Sequence, residues 1–287
     1  MRPFAYHRPT TVSEAVGLLA ELGEDAEFLA GGTSLMNMAR LGLAEPEHVI
    51  ALAGVPELHG LSDGDDGLTF GAMTTIRDVE TSALVHRLAP GLAETAGHVA
   101  TVRIRNQATL GGNLVHADPN QDLPPMLMVH EAVVRVRGPE GTREVPVTDL
   151  FAGFFETVLD EGEIVEAVRV PPVPDGLRTG YLKFLPRTKD DYPTVSVAAG
   201  VAMRDGRVAD VRLAVAGGGA TPIRCRAAEA VLTGAVPDVA ALTAAADALA
   251  GELDPISDGR GSARYKTEMA RVSARRLLDR LVQEGSQ

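Results

Sequence analysis

Two stretches of this chain carry residue types suited to holding an anion. They are Leu29-Ala30-Gly31-Gly32-Thr33-Ser34-Leu35 and, far downstream, Thr109-Leu110-Gly111-Gly112-Asn113. A Gly-Gly pair removes the side chains that would keep a ligand away from the backbone. Consecutive N–H groups turned inward then form a cradle for negative oxygens. The first stretch follows the run Ala26-Glu27-Phe28-Leu29 and precedes the helix-like Leu35-Met36-Asn37-Met38-Ala39. Strand, glycine turn and helix start is the arrangement that holds a pyrophosphate. The second stretch follows the polar Arg103-Ile104-Arg105-Asn106 and has Asp118 and Asp122 just behind it. It leads to Leu123-Pro124-Pro125-Met126, which reads as a helix start. Each pair alone reads as an ordinary tight turn. Together, with the acidic residues behind the second, they point to a diphosphate-containing cofactor gripped from two sides.

Other chemistries find little support. Neither Gly-x-Gly-x-x-Gly nor Gly-x-x-x-x-Gly-Lys-Ser/Thr occurs, which excludes the standard dinucleotide fingerprint and the P-loop. The one Gly-x-Ser-x-Gly, Gly60 to Gly64, falls within the strand–turn–strand around 58–71 with no helix directly after it, so it is no nucleophile elbow. The histidines show no His-x-x-x-His spacing, and His116, three residues past Asn113, reads as a hydrogen-bonding residue. The acidic Asp63-Gly64-Asp65-Asp66-Gly67 lacks calcium-loop spacing and its closing Glu, so it reads as a turn. The single Cys225 rules out an intrachain disulfide and a cluster with four cysteine ligands from this chain. No catalytic acid/base set stands out, which leaves the chemistry to the cofactor.

The elements that must position the two stretches follow from periodicity. Thr11 and Glu14 have capping-box spacing, and Val12, Ala15, Val16, Leu19 and Leu22 repeat at helical intervals up to Gly23. With strands at 4–6, 26–29 and 48–52, the first unit reads β-α-β-α-β. The second unit has a strand–turn–strand around 58–71, a helix after Thr74-Thr75, and helix over 84–99 broken at Pro90. It closes with a hairpin about 138–141 and a strand over 163–170. Pro171 to Gly176 is the clearest linker. Beyond it, Asp205-Gly206 between two apolar runs predicts a hairpin, and Ala216-Gly217-Gly218-Gly219-Ala220 reads as a loop. Three helices end the chain, the last with Ala270, Ala274, Leu277, Leu278 and Leu281 as an apolar stripe. The fold class is α+β. The boundaries fall at 1–55, 56–176 and 177–287.

Composition bounds the partners. A net charge of −12 argues against nucleic acid or an anionic membrane surface. Aromatic residues are only 4%, too few for base-stacking platforms. No run reaches the ~20 apolar residues of a membrane span. The opening Met1 to His7 has no apolar signal core. Cytoplasmic residence is the expectation.

The two glycine stretches resemble the FAD signatures of the flavoprotein (medium) subunit of molybdenum hydroxylases, the family of carbon monoxide dehydrogenases and bacterial xanthine dehydrogenases. The resemblance runs the whole length. It takes in the Pro-Thr-x-x-x-Glu-Ala start, Gly71-Ala72-Met73-Thr74-Thr75, Val102 to Asn106, Ala117-Asp118-Pro119 with Asp122, Tyr181-Leu182-Lys183, and Tyr265-Lys266 to Arg276. It implies a two-lobed FAD-binding domain of the PCMH or vanillyl-alcohol-oxidase type, followed by an α+β domain with a small antiparallel sheet and helices. By position, Leu29, Ala30, Gly31, Gly32, Thr33, Ser34 and Leu35, with Thr109, Leu110, Gly111, Gly112 and Asn113, would hold the pyrophosphate of non-covalent FAD. Asp118 and Asp122 would take ribose or ribityl hydroxyls. Val165 and Lys183 would lie near the flavin ring, and Tyr192 would cover it. Read from the residues alone, Val165 is core, Lys183 a surface lysine and Tyr192 a loop aromatic.

The resemblance also implies partners: a small subunit with [2Fe-2S] clusters and a large molybdopterin subunit, in a dimer of heterotrimers. Electrons would pass from the clusters through FAD to NAD or a quinone. The rival reading is a stand-alone FAD-dependent oxidase of a small alcohol.

Overall fold

The computed structural model describes residues 2–185 and 187–285. The first lobe contains β1 (Ala5–His7), α1 (Val12–Leu22), β2 (Ala26–Leu29), α2 (Leu35–Leu41) and β3 (His48–Ala51). Thr11 caps α1 as its spacing predicts, its hydroxyl accepting the Glu14 N–H at 3.1 Å. The Glu14 carboxylate turns instead to the N–H and hydroxyl of Thr10. Val12, Ala15 and Val16 form the buried face, and Gly23 ends the helix at φ +64°. The strands are parallel in the order β1-β3-β2. Parallel neighbours need crossovers, which α1 and α2 provide.

The second lobe opens with the hairpin β4 (Leu61–Gly64) and β5 (Gly67–Gly71). Six helices follow: α3 (Ile76–Thr81), α4 (Ala83–Leu88), α5 (Pro90–Gly97), α6 (Val102–Arg105), α7 (Leu110–His116) and α8 (Leu123–Val129). Their starts are written in the sequence. Thr75 forms a complete capping box with Asp78, Ser82 caps α4, and Pro90 opens α5. Then come β6 (Val133–Gly138), β7 (Gly141–Pro146), a small hairpin of β8 (Phe151–Gly153) and β9 (Glu156–Thr157), and β10 (Ile164–Val170). The five-stranded antiparallel sheet runs β4-β5-β10-β6-β7. Its centre, β10, is buried on both faces by Ile164, Val165, Ala167, Val168 and Val170.

The C-terminal domain has β11 (Arg178–Phe184), β12 (Val195–Arg204), β13 (Arg207–Ala216) and β14 (Ile223–Arg224), antiparallel in that order. Asp205 and Gly206 both take positive φ, 51° and 73°, as a tight hairpin turn between twisted strands requires. The helices α9 (Arg226–Leu232), α10 (Val239–Gly251) and α11 (Ala263–Gly285) cover one face. The stripe from Ala270 to Leu281 packs there with Val197, Val201 and Leu213. On the other face Tyr181, Ala198 and Ala214 join the core of the second lobe. Arg224 and Arg212 donate to the Met128 and Val129 carbonyls at 2.7 and 3.1 Å, capping the C-terminal end of α8 from the neighbouring domain. Among the described residues no helix is long and apolar enough to cross a membrane.

Candidate functional site

The first glycine stretch leaves β2 and enters α2. Gly31 is pressed against the second lobe: a Cβ there would lie 1.9 Å from the Gln107 carbonyl oxygen. Gly32 turns the chain at φ +70°, a conformation glycine adopts without steric cost. Among the described residues no protein group accepts from the N–H groups of Gly32, Thr33, Ser34 or Leu35. Ser34 supplies no side-chain cap to α2. Four neighbouring donors without acceptors form a site for an anion.

The second stretch is built on a different principle. It forms the first turn of α7, with Thr109 as N-cap. The Leu110 N–H donates to the Thr74 carbonyl and the Gly111 N–H to the Ala72 carbonyl, both at 2.9 Å. The Gly112 N–H donates to the Thr109 hydroxyl at 3.1 Å, and the Asn113 N–H to the Thr109 carbonyl at 2.8 Å. All four donors are engaged, so the glycines here serve close approach instead of an open N–H cradle. A Cβ on Gly111 would lie 2.7 Å from the Ala72 Cβ, and one on Gly112 would lie 3.3 Å from the Ala30 Cβ. The contacts of Gly31 with Gln107 and of Gly112 with Ala30 bring the two stretches together. A hollow of about 370 Å3 borders this junction, lined by Ala30, Gly31, His59, Gly60, Gln107 and Thr109, and the open donors from Gly32 to Leu35 do not line it. Asn113 adds a buried Oδ1 with no hydrogen-bond partner, an acceptor suited to a ligand hydroxyl.

Behind α7, Asp118 folds a tight turn by accepting the Asn120 N–H at 2.9 Å. Asp122 is buried and accepts from the Tyr181 hydroxyl at 2.5 Å and from Lys183 Nζ at 3.0 Å. Lys183 also donates to the His98 carbonyl at 2.8 Å. Only 2% of the Lys183 side chain is exposed, so it is no surface lysine. Burial pushes the Asp122 carboxyl up, while Lys183 and Tyr181 oppose the shift. Burial, then the Asp122 charge, pushes the Tyr181 phenol well up. Asp122 and Lys183 are therefore first of all partners of each other. Val165 lies in the core of the second lobe, on β10 beneath α7.

Tyr192 stands on the rim, 41% exposed, with the Arg260 guanidinium 5.7 Å from its ring centre. Its phenol is pushed up to about 12 by burial of the hydroxyl end and by the charges of Asp118 and Asp122. The Gly217 loop links the Asp118 turn to the C-terminal domain, its N–H donating to the Pro119 carbonyl at 2.8 Å. A Cβ on Gly217 would lie 2.8 Å from the Thr194 carbonyl oxygen and 2.9 Å from Asn120 Oδ1.

Sequence reasoning assigned no role to Tyr181, Gly217 or Arg260. Alternation along β11 puts Tyr181 and Lys183 on one face, a signal that could have found Tyr181. Arg260 sits between two glycines, which marks a turn but not its target.

Comparison with known proteins agrees along the whole chain. Residues 2–173 match the family model for the FAD binding domain in molybdopterin dehydrogenase. Residues 180–281 match that for the CO dehydrogenase flavoprotein C-terminal domain. The carbon monoxide dehydrogenase medium chain of Hydrogenophaga pseudoflava is 37% identical over 276 residues, 96% of each chain. The nicotine 6-hydroxylase medium subunit of Paenarthrobacter nicotinovorans is 36% identical over 273 residues, 95% of each chain. A solved structure of the Hydrogenophaga pseudoflava carbon monoxide dehydrogenase, in a form lacking the Mo-pyranopterin moiety, superposes with a TM-score of 0.94. It is 40% identical and covers 97% of this chain and 98% of that one. This chain belongs to the FAD-binding medium subunits of molybdenum hydroxylases, the flavoprotein components of oxidoreductases of the carbon monoxide and xanthine dehydrogenase type.

Proposed function

We propose that this chain is the electron-transfer subunit of a three-component hydroxylase, with the FAD diphosphate held at the junction of its two glycine stretches. The observation that carries this reading is the set of open N–H donors from Gly32 to Leu35 beside the unpartnered Asn113 Oδ1. A diphosphate with a hydroxylated chain satisfies both. Leu29, Ala30 and Gly31 shape the wall of this cradle, while Thr109, Leu110, Gly111 and Gly112 fix α7 so that Asn113 faces it. Asp118, with Lys183 and Asp122 as a buried pair, closes the acidic side, Val165 backs it, and Tyr192 covers it. The lobes 1–55 and 56–176 carry the cofactor, and 177–287 packs against the second lobe. Bound FAD would supply the redox chemistry that links [2Fe-2S] clusters on a small partner subunit to an external acceptor, NAD or a quinone. This chain's own groups bind, orient and shield.

The substrate belongs to the large molybdopterin subunit on this reading. Medium subunits named for carbon monoxide and for nicotine are almost equally similar to this chain. A dimer of heterotrimers is the proposed assembly. Neither glycine stretch contains a histidine or cysteine, so the FAD is non-covalent. Acid precipitation should release the yellow colour into the supernatant, and colour retained in the pellet would refute that link. Co-purified with its partners and given the substrate without oxygen, the bound flavin should bleach. Turnover of a small alcohol by the chain alone would refute the electron-transfer role and favour a solitary oxidase.

A further inference from the structure

A line of contacts runs from the last helix to the rim of the site. Lys266, on the first turns of α11 and 2% exposed, donates to Asp258 Oδ2 at 2.9 Å. Asp258 Oδ1 accepts the Arg260 N–H at 2.8 Å, and its Oδ2 lies 3.5 Å from the Arg260 guanidinium. Backbone hydrogen bonds of 3.0 and 3.1 Å between Asp258 and Gly261 close this turn. The Arg260 carbonyl accepts from the hydroxyl of Thr194, a fully buried residue two positions past Tyr192. With its backbone fixed at these points, Arg260 lies over one face of the Tyr192 ring, within the range of cation–π attraction. Tyr192 keeps 41% of its surface exposed beside this contact. Burial works against the charge of Asp258, but the hydrogen bonds from Lys266 and the Arg260 N–H hold its carboxyl below the usual range. The Asp258 carboxylate is therefore held in its charged form.

We propose that Arg260 is a positioning residue that holds the Tyr192 ring against the flavin, with Asp258 and Lys266 fixing Arg260. The inference rests on the reading of Tyr192 as the flavin's cover. A half-exposed loop tyrosine has several staggered side-chain positions open to it, and a cation locked over one face selects among them. The C-terminal domain then controls how open the flavin is to acceptor and oxygen, while the glycine stretches control how tightly FAD is bound.

The test uses the FAD-loaded chain and reads flavin emission, which a stacked tyrosine quenches, alongside FAD content. Tyr192→Ala should raise emission several-fold at nearly unchanged FAD content. Arg260→Gln should raise it by a smaller factor, and Arg260→Lys, which keeps the cation, should stay nearer wild type. In the Tyr192→Ala background, Arg260→Gln should add nothing, as coupled residues require. Wild-type emission in Arg260→Gln, against raised emission in Tyr192→Ala, would overturn the positioning role alone. Wild-type emission in Tyr192→Ala would overturn the reading of Tyr192 and the inference with it. Loss of FAD from both Arg260 variants would also overturn it, by placing Arg260 in the cofactor grip.

Discussion

The two glycine pairs share a residue doublet and touch each other, but their N–H groups point to different ends. At Gly31-Gly32 the donors from Gly32 to Leu35 remain open, and one glycine takes positive φ. At Gly111-Gly112 every donor from Leu110 to Asn113 is engaged within the protein, and neither glycine takes positive φ. The first pair leads into a row of donors that the protein itself leaves open. The second is a packing joint that lets α7 lie against Ala72 and Ala30. Gly-Gly reports a close approach of backbone, and the doublet alone does not distinguish a ligand from another segment of the same chain as the partner.

The largest test of this contrast is Gly31→Val, because Gly31 faces the joint while belonging to the ligand stretch. Its Cβ would meet the Gln107 backbone at 1.9 Å, which no side-chain shift can relieve. Overpacking of this kind costs about 1–3 kcal/mol and occasionally more. The variant should lose FAD and melt early even without ligand. Retention of wild-type melting in the apo form would break the claim that the two stretches are joined there.

Acid provides a second, smaller lever on the body that carries the second stretch. His130 ends α8, is 3% exposed, and has a buried Nε2 with no partner. Burial, then the nearby Arg212 charge, pulls its pKa down to about 4. The folded state therefore binds the proton less well than the unfolded chain, whose histidine titrates near ~6.5. This contribution to stability is complete above that value and is lost as pH falls from ~6.5 toward about 4. At pH ~5 the loss should amount to about 2 kcal/mol. Denaturant melts should show a shallower acid loss in His130→Gln than in wild type. The stretch from Ala30 to Leu35 carries no titratable side chain, so the loss acts through the packed body. Parallel pH curves for the two proteins would contradict this.

The smallest expected effect sharpens the comparison most. Gly32→Ala places a side chain at φ +70°, a strain of roughly 1–2 kcal/mol, in the loop that presents the open donors. It should weaken FAD binding roughly tenfold for that strain. Gly111→Ala crowds Ala72, so it should lower the melting temperature of the apo chain by a few degrees. Binding titrations paired with apo melts should show the two variants separating along these axes. The same balance of effects in both variants would erase the distinction.

Much of the architecture was legible because local signals agreed with the fold. Thr11, Thr75 and Pro90 start helices where their chemistry predicts, and Asp205-Gly206 turns its hairpin. The fate of the N–H groups was not legible. Whether the Gly111 donor meets a ligand or the Ala72 carbonyl depends on a partner thirty-nine positions away in sequence, outside any local pattern. The same holds for the Asp122–Lys183 pair and for Arg260 over Tyr192, where tertiary packing decides what a charged side chain meets. The stripe on α11 was legible because one helix face needs only period, not partners.

Amide hydrogen exchange with and without FAD tests the central contrast most directly, because it reads the N–H groups themselves. In the apo chain, Leu110 to Asn113 should already be protected and Gly32 to Leu35 should exchange quickly. FAD should slow exchange at Gly32 to Leu35 strongly and change Leu110 to Asn113 little. Fast exchange at Leu110 to Asn113 in the apo chain, with protection gained there and not at Gly32 to Leu35, would contradict the account.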